Sequence, residues 1–352
     1  MDRLVRVCFA ITHFWPLGFG AEGMTYRLAR ELARRGHEIT VLTQRLDGVP
    51  EREERDGFEI CRELRTLNLR GVGGFRYLLS GLRFLRRRRF DLVQSQAFYL
   101  DAYAASFSDS KLVVRMMCQR PFGDLSVLER APWGDRVIRR VVKRADRFVV
   151  MSAALRGELE AIGVEPARIV TIPNGVDADR FDLPMGRDVL FVGRLAPQKG
   201  VDTLLRAWTR APRGRLVLVG DGPQEAELRA MGAPDVLFTG RVEDVRPYLQ
   251  SAAIFVLPSR AEGMSNALLE AMAAGRACIA SDIGPNRELI EHERHGLLVP
   301  PDDEAALSAA LARLAAPELR ERLGRAARER VRAEFTLDRV VERYAALYES
   351  LR

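Results

Sequence analysis

Scarcity sets the first limits on this chain. Its four cysteines, Cys8, Cys61, Cys118 and Cys278, are widely scattered, and Cys8 and Cys278 fall in apolar, strand-like runs. That is neither a disulfide framework nor a zinc-binding spacing. Of the four histidines only His292 and His295 lie close together, and no further cysteine or histidine follows to complete a site. No metal and no cofactor is expected. Aromatic content is 7%, and no helix-turn-helix, zinc-finger or aromatic-plus-basic module is present, so nucleic acid is excluded as an expected partner. No segment reaches the ~18 continuous apolar residues of a membrane-spanning helix. The opening residues, Met1 to Ala10, run straight into a strand without the apolar core or cleavage site of a signal peptide. A cytoplasmic location is the expectation.

What is present fits two hydrophobic cores rather than one. The chain has 352 residues, 47% of them hydrophobic. The formal net charge is +7, with arginine runs at Arg86–Arg89 and around Arg139–Arg144. Phe75 to Arg86 predicts an amphipathic helix with a basic face. Such a helix suits an anionic membrane surface, and a surface helix packed on its own sheet has the same pattern.

Along the chain, strands alternate with helices. Leu4–Ile11, a glycine-bearing loop, a helix from Ala21 to Arg35 and a strand at Glu38–Thr43 open a doubly wound sheet. The loop is not GxGxxG, and no acidic residue ends the second strand, so a dinucleotide site is poorly supported. Gly18 and Gly20 are better explained by close approach of the backbone to a ligand at the carboxyl edge. Further strands are expected at 91–96, 112–119, 147–151 and 169–172. A turn cluster, Pro173–Asp177, and a linker, Phe181–Gly186, follow, and the strand–helix pattern then restarts at Asp188. The expected organisation is α/β throughout. A first Rossmann-like domain covers 1–181, a second covers 182–335, and a last helix over 336–352 packs back toward the first.

The second half carries the chemistry. Gly193, Arg194 and Lys199 stand in the loop after its first strand, where open α/β sheets bind ligands. Two cations there suit a diphosphate, held bidentately by Arg and as a point charge by Lys. Gly220-Asp221-Gly222 supplies a second loop. A third runs from Leu257 through Glu262, Gly263, Met264 and Ser265 into a helix that bears Glu270 and stops at Gly275. Ser265 or Asn266 can cap that helix. Eight helical residues span roughly 12 Å, farther than the roughly 5 to 9 Å of a close carboxyl pair. The two glutamates therefore suit two parts of one elongated ligand. Spacing alone equally allows a loop carboxylate and a solvated helix face.

In order and spacing, several pieces resemble the retaining glycosyltransferases of the GT-B fold, glycosyltransferase family four. They are Pro173-Asn174-Gly175-Val176-Asp177, Phe191–Leu195 with Lys199-Gly200, Val219–Pro223, Glu262 to Glu270 with Ala271–Gly275, and Gly296–Pro300. The match is strong over 170–305 and weaker before it. The resemblance implies two Rossmann-like domains facing across a cleft, and transfer of a sugar, with retention, from a nucleotide-diphosphate sugar. A uridine diphosphate sugar is its default donor. The acceptor is a glycan, lipid-linked or small-molecule hydroxyl. It further implies that Arg194 and Lys199 meet the diphosphate, Glu270 holds the ribose and Glu262 contacts the donor sugar, with the Gly263–Ser265 backbone beside it.

The first half departs from the family pattern. Where members carry a histidine near the reacting sugar, this chain reads Met117-Cys118-Gln119-Arg120, and a second histidine-rich region reads Gln94-Ser95-Gln96. Glutamine can hydrogen-bond a hydroxyl but cannot act as a base. Gln94 and Gln119 are thus candidate sugar contacts. The alternative is a relative of weak or lost activity that binds a sugar nucleotide. His13 is the histidine near the first domain's expected active edge, with a turn-capping role equally open to it.

Overall fold

The computed structural model describes residues 4–16, 20–65, 73–210 and 214–352. By contacts the chain divides into two units, Met1–Asn174 with Leu337–Arg352, and Gly175–Thr336. The sequence reading placed the first boundary near 181.

In the first unit the elements are β1 (Arg6–Ala10), α1 (Ala21–Arg34), β2 (Glu38–Gln44), β3 (Arg52–Arg55), β4 (Phe58–Leu64), α2 (Gly73–Arg87) and β5 (Leu92–Ser95). They continue with α3 (Leu100–Ala105), β6 (Lys111–Arg115), α4 (Asp124–Glu129), α5 (Gly134–Arg144), β7 (Arg147–Val150), α6 (Ala153–Ala161) and β8 (Ile169–Thr171). The sheet order is β3-β4-β2-β1-β5-β6-β7-β8, parallel except for the β3–β4 hairpin. Asp56 and Gly57, both at positive φ, make the two-residue turn of that hairpin. The strand expected over 112–119 stops at Arg115. Met116 N–H still reaches Val149 O, but the Met117 N–H turns to Asp124 Oδ2 at 3.1 Å, which draws the chain off the sheet.

In the second unit follow β9 (Asp188–Val192), α7 (Val201–Arg210), β10 (Leu216–Val219), α8 (Glu225–Ala230), β11 (Val236–Gly240), α9 (Arg246–Ser251) and β12 (Ala252–Leu257). Then come α10 (Asn266–Ala273), β13 (Ala277–Ser281), α11 (Gly284–Leu289), β14 (Leu297–Val299), α12 (Glu304–Arg313) and α13 (Pro317–Glu334). All its strands are parallel, in the order β11-β10-β9-β12-β13-β14. Numbered within the unit this is 3-2-1-4-5-6, the Rossmann order, with the reversal between β9 and β12. The stretch expected as a linker is held inside this unit. Phe181 is buried, and the buried Arg276 guanidinium donates to the carbonyls of Leu183 and Pro184, at 2.6 and 2.9 Å, and of Ala252 and Ala274.

The last helix, α14 (Leu337–Glu349), belongs to the first unit. It buries Val340, Val341, Tyr344, Leu347 and Tyr348 in the same core as Val7, Phe9, Leu28 and Leu32. Its apolar residues recur at three- and four-residue spacing, so one face is buried along its length.

Candidate functional site in the second unit

The reversal between β9 and β12 leaves a crevice at the carboxyl ends of the strands, and the loops after those two strands converge there. They are joined backbone to side chain. The Arg260 N–H donates to Gln198 O at 2.8 Å, and Gln198 Nε2 donates to Ala261 O at 2.9 Å. Gly200, at φ 62°, lies so close that a Cβ there would stand 2.1 Å from Pro258 O. The loop after β10 closes the other side. Leu195 N–H donates to Asp221 O at 2.7 Å, and a Cβ on Gly222 would meet Leu195 O at 2.3 Å. The absence of a side chain at Gly222 is thus required by loop packing.

Within this frame two predicted residues meet. Lys199 Nζ donates to Glu262 Oε1 at 2.6 Å, and Ser259 Oγ donates to the same oxygen at 2.7 Å. Glu262 is 5% exposed, and those two donors satisfy its buried oxygen. Gly263 and Met264 are buried beside it. Ser265 is the N-cap of α10, its Oγ accepting from the Leu268 N–H at 3.3 Å, so its hydroxyl serves the helix. Gly275, at φ 68°, ends that helix. Glu270 is half-buried on α10, and Arg194, at the start of the β9 loop with Gly193, is exposed.

Arg260 was missed by sequence reasoning. Its guanidinium donates to Asp202 at 2.8 Å on α7, to Asp302, also at 2.8 Å, and to Pro197 O. The hydrogen bond to Asp202 raises its pKa further above the ordinary arginine value, against burial and with help from Asp302. Burial pushes the Asp202 carboxyl upward, but its bonds to Arg260 and Arg206 outweigh this and hold it below the ordinary range. These partners lie far apart in the chain, and no local pattern signals the network.

In the first unit, Gly18 lies outside the described residues. Gly20 is exposed at φ 82° as the N-cap of α1, its carbonyl accepting from the Met24 N–H at 3.1 Å. His13 is exposed in the loop after β1. Gln94 corrects the expectation. It is fully buried in β5, and its Oε1 accepts from Tyr348 Oη of α14 at 2.7 Å, so it serves the core rather than a sugar. Gln119 is half-buried in the loop beyond β6. The buried Arg115 at the end of β6 donates to Gln96 Oε1 at 3.3 Å and to Asn174 Oδ1. Among the described residues no group of three or more His, Cys, Asp and Glu could hold a metal ion, and no helix is long and apolar enough to cross a membrane.

Comparison with known proteins accords with this geometry. Residues 20–180 match the family described as Glycosyltransferase Family 4, and residues 186–316 match Glycosyl transferases group 1. The chain is 31% identical over 329 residues to a GDP-mannose-dependent alpha-mannosyltransferase of Mycobacterium tuberculosis, covering 84% of each chain. It is 35% identical over 199 residues to a phosphatidyl-myo-inositol mannosyltransferase of Mycolicibacterium smegmatis, covering 51% of this chain and 49% of that one. In fold it is similar to a sucrose-phosphate synthase from Thermosynechococcus elongatus, with TM-score 0.84, 23% identity and 98% of each chain covered. The two Rossmann-like units, their strand order and these matches place the chain among the GT-B glycosyltransferases of family four, enzymes that transfer a sugar from a nucleotide-sugar donor.

Proposed function

We propose that this glycosyltransferase moves a sugar, with retention, from a nucleotide-diphosphate sugar bound in the β9–β12 crevice. The observation that carries the reading is the Lys199–Glu262 pair, which joins a cation and a carboxylate from the two loops flanking the strand-order reversal. Arg194 and Lys199 hold the donor diphosphate and stabilise its charge as it leaves. Glu262 contacts the donor sugar, and Glu270 holds the ribose hydroxyls. The bond from the anomeric carbon to the phosphate oxygen breaks, and the bond to the acceptor oxygen forms on the same face. The acceptor proton passes to the departing phosphate oxygen.

A relative that spans 84% of this chain is named as GDP-mannose-dependent, and others matched are mannosyltransferases. GDP-mannose is therefore the proposed donor, in preference to the uridine diphosphate sugar that family resemblance alone makes the default. Calorimetric titration with GDP-mannose, UDP-glucose and ADP-glucose tests this, with Glu270→Ala as control. Tight GDP-mannose binding, weakened by that change, supports the reading. Absence of binding across the panel refutes it, and preference for UDP-glucose overturns the donor assignment.

A membrane-surface acceptor is supported by α2. Phe75 is 62% and Leu79 is 48% exposed, and Arg76, Arg83, Arg86 and Arg87 are exposed on the same helix. That pattern suits peripheral attachment to an anionic leaflet at the cytoplasmic face. Co-sedimentation with phosphatidylglycerol vesicles, and its loss in Phe75→Asp, is the expected outcome. Equal recovery with phosphatidylcholine vesicles refutes it.

A further inference from the structure

Outside that site, a closed ring of polar groups stands at the carboxyl edge of the first sheet, beside the reversal between β1 and β5. Thr12 lies two residues beyond the end of β1. Its carbonyl accepts from the Gln44 N–H at 3.1 Å and from Thr43 Oγ1 at 3.0 Å, so its backbone is fixed to the sheet. Its Oγ1 lies 2.9 Å from Tyr77 Oη on α2 and 3.4 Å from Asp101 Oδ2 in the first turn of α3. Tyr77 Oη reaches Asp101 Oδ1 and closes the triangle. Asp101 is 4% exposed and Tyr77 3%.

The count of protons favours one state of this ring. Three contacts need three donors, and Thr12 and Tyr77 supply one each. With an ionised carboxylate, Tyr77 donates to Asp101 and Thr12 to Tyr77, and the 3.4 Å contact of Thr12 with Asp101 is left without a donor. With a protonated carboxyl, Tyr77 donates to Asp101, Asp101 to Thr12 and Thr12 to Tyr77, and every contact is made. The surroundings agree. Among the described residues no cation pairs with Asp101. Besides the two hydroxyls, the ionisable group acting on it is the Asp124 carboxyl at the start of α4. Arg140 of α5 reaches the other end of α3, at Ser106. Burial raises Asp101 to about 7, opposed by the Thr12 hydrogen bond and assisted by Asp124.

We propose that Asp101 is a positioning residue which, as a neutral carboxylic acid, closes the ring that ties α2 and α3 to the end of β1 and so sets the loop bearing His13. Its value to the acceptor side of the reaction rests on the function proposed above; the ring itself does not.

Asp101→Asn separates this proposal from plain packing. An amide donates to Thr12 and accepts from Tyr77 as the neutral acid does, and it has no proton to lose. Tyr77→Phe and Thr12→Val open the ring with little change of volume. Hydrogen exchange of the segment 10–16, corrected for intrinsic exchange, is measured at about pH 5.5 and about pH 8.5. At the higher pH the wild type's neutral fraction falls about thirty-fold, and its protection should fall by up to that factor. Asp101→Asn should match the wild type at low pH and keep its protection at high pH, while Tyr77→Phe and Thr12→Val should be poorly protected at both. Asp101→Asn resembling Tyr77→Phe at low pH, or sharing the wild type's loss at high pH, overturns the proposal. Mannose transfer from labelled GDP-mannose to a total phospholipid extract is followed in parallel. A pH profile that declines near neutrality in the wild type and is flattened by Asp101→Asn supports the acceptor-side role. Unaltered profiles with altered exchange overturn that role alone. Failure of the wild type to bind GDP-mannose counts against the proposed function and leaves the exchange result standing.

Discussion

Neutralising Glu262 should tighten diphosphate binding while it slows transfer. Lys199 Nζ donates to Glu262 Oε1 at 2.6 Å, with the carboxylate side chain 7% and the lysine side chain 19% exposed. To meet a diphosphate the ammonium must give up part of that contact. An exposed ion pair is worth about 0–1 kcal/mol, and breaking a fully buried one costs about 3–5 kcal/mol. This partly buried pair falls between, and about 1.4 kcal/mol of competition corresponds to tenfold in affinity. Glu262→Gln removes the charge but keeps an amide oxygen that can accept from Ser259 Oγ and Lys199 Nζ, so the loop junction should persist. GDP should then bind about tenfold more tightly by calorimetry. With Glu262 on the donor sugar as proposed, the transfer rate should fall by about a hundredfold or more. Unchanged or weaker GDP binding by a folded Glu262→Gln protein would refute the competition, and with it the placing of the diphosphate on Lys199.

Other substitutions follow from the same contacts. Gly200→Ala forces a Cβ to 2.1 Å from Pro258 O at positive φ, and should cost about 2 kcal/mol or more in denaturant unfolding and weaken donor binding. Tyr348→Phe strips Gln94 Oε1 of its buried donor and should lower stability by about 1–3 kcal/mol in the same assay, without altering nucleotide affinity. Removing 337–352 exposes the core face of α14, whose buried side chains contribute about 1.5–3 kcal/mol each. That total rivals the whole stability of a domain, about 5–15 kcal/mol. The shortened protein should be recovered mainly as aggregate on gel filtration. The pH dependence of unfolding has a definite sign. The raised pKa values of Asp101, about 7, and Asp124, about 6, mean that the folded protein holds protons the unfolded chain releases. Their contribution is full below the unfolded carboxyl range and is lost as pH rises through those values. Asp101→Asn should remove most of the decline between about pH 4 and pH 7 in thermal unfolding scans.

The chain alone carried the alternation of elements and the candidate site residues of the second unit. Apolar runs such as Ile254–Leu257 and Leu216–Val219 mark buried parallel strands, because both faces of such a sheet are covered. The helices α3 and α4 went unread, since six residues are too few to show a period. The all-charged strand Arg52–Arg55 has no apolar alternation to reveal it. The partnership of Lys199 with Glu262 spans 63 positions, and that of Gln94 with Tyr348 spans 254. Strand order sets such pairings, and local pattern holds no record of it. So residue types singled out two candidate cations, Arg194 and Lys199, and two candidate carboxylates, Glu262 and Glu270. Folding alone showed that Lys199 is already paired, that Gln94 belongs to the core, and that Thr12, Tyr77 and Asp101 share one ring. Propensity and periodicity act over a few neighbouring residues, whereas burial and hydrogen-bond partners depend on which strands lie side by side.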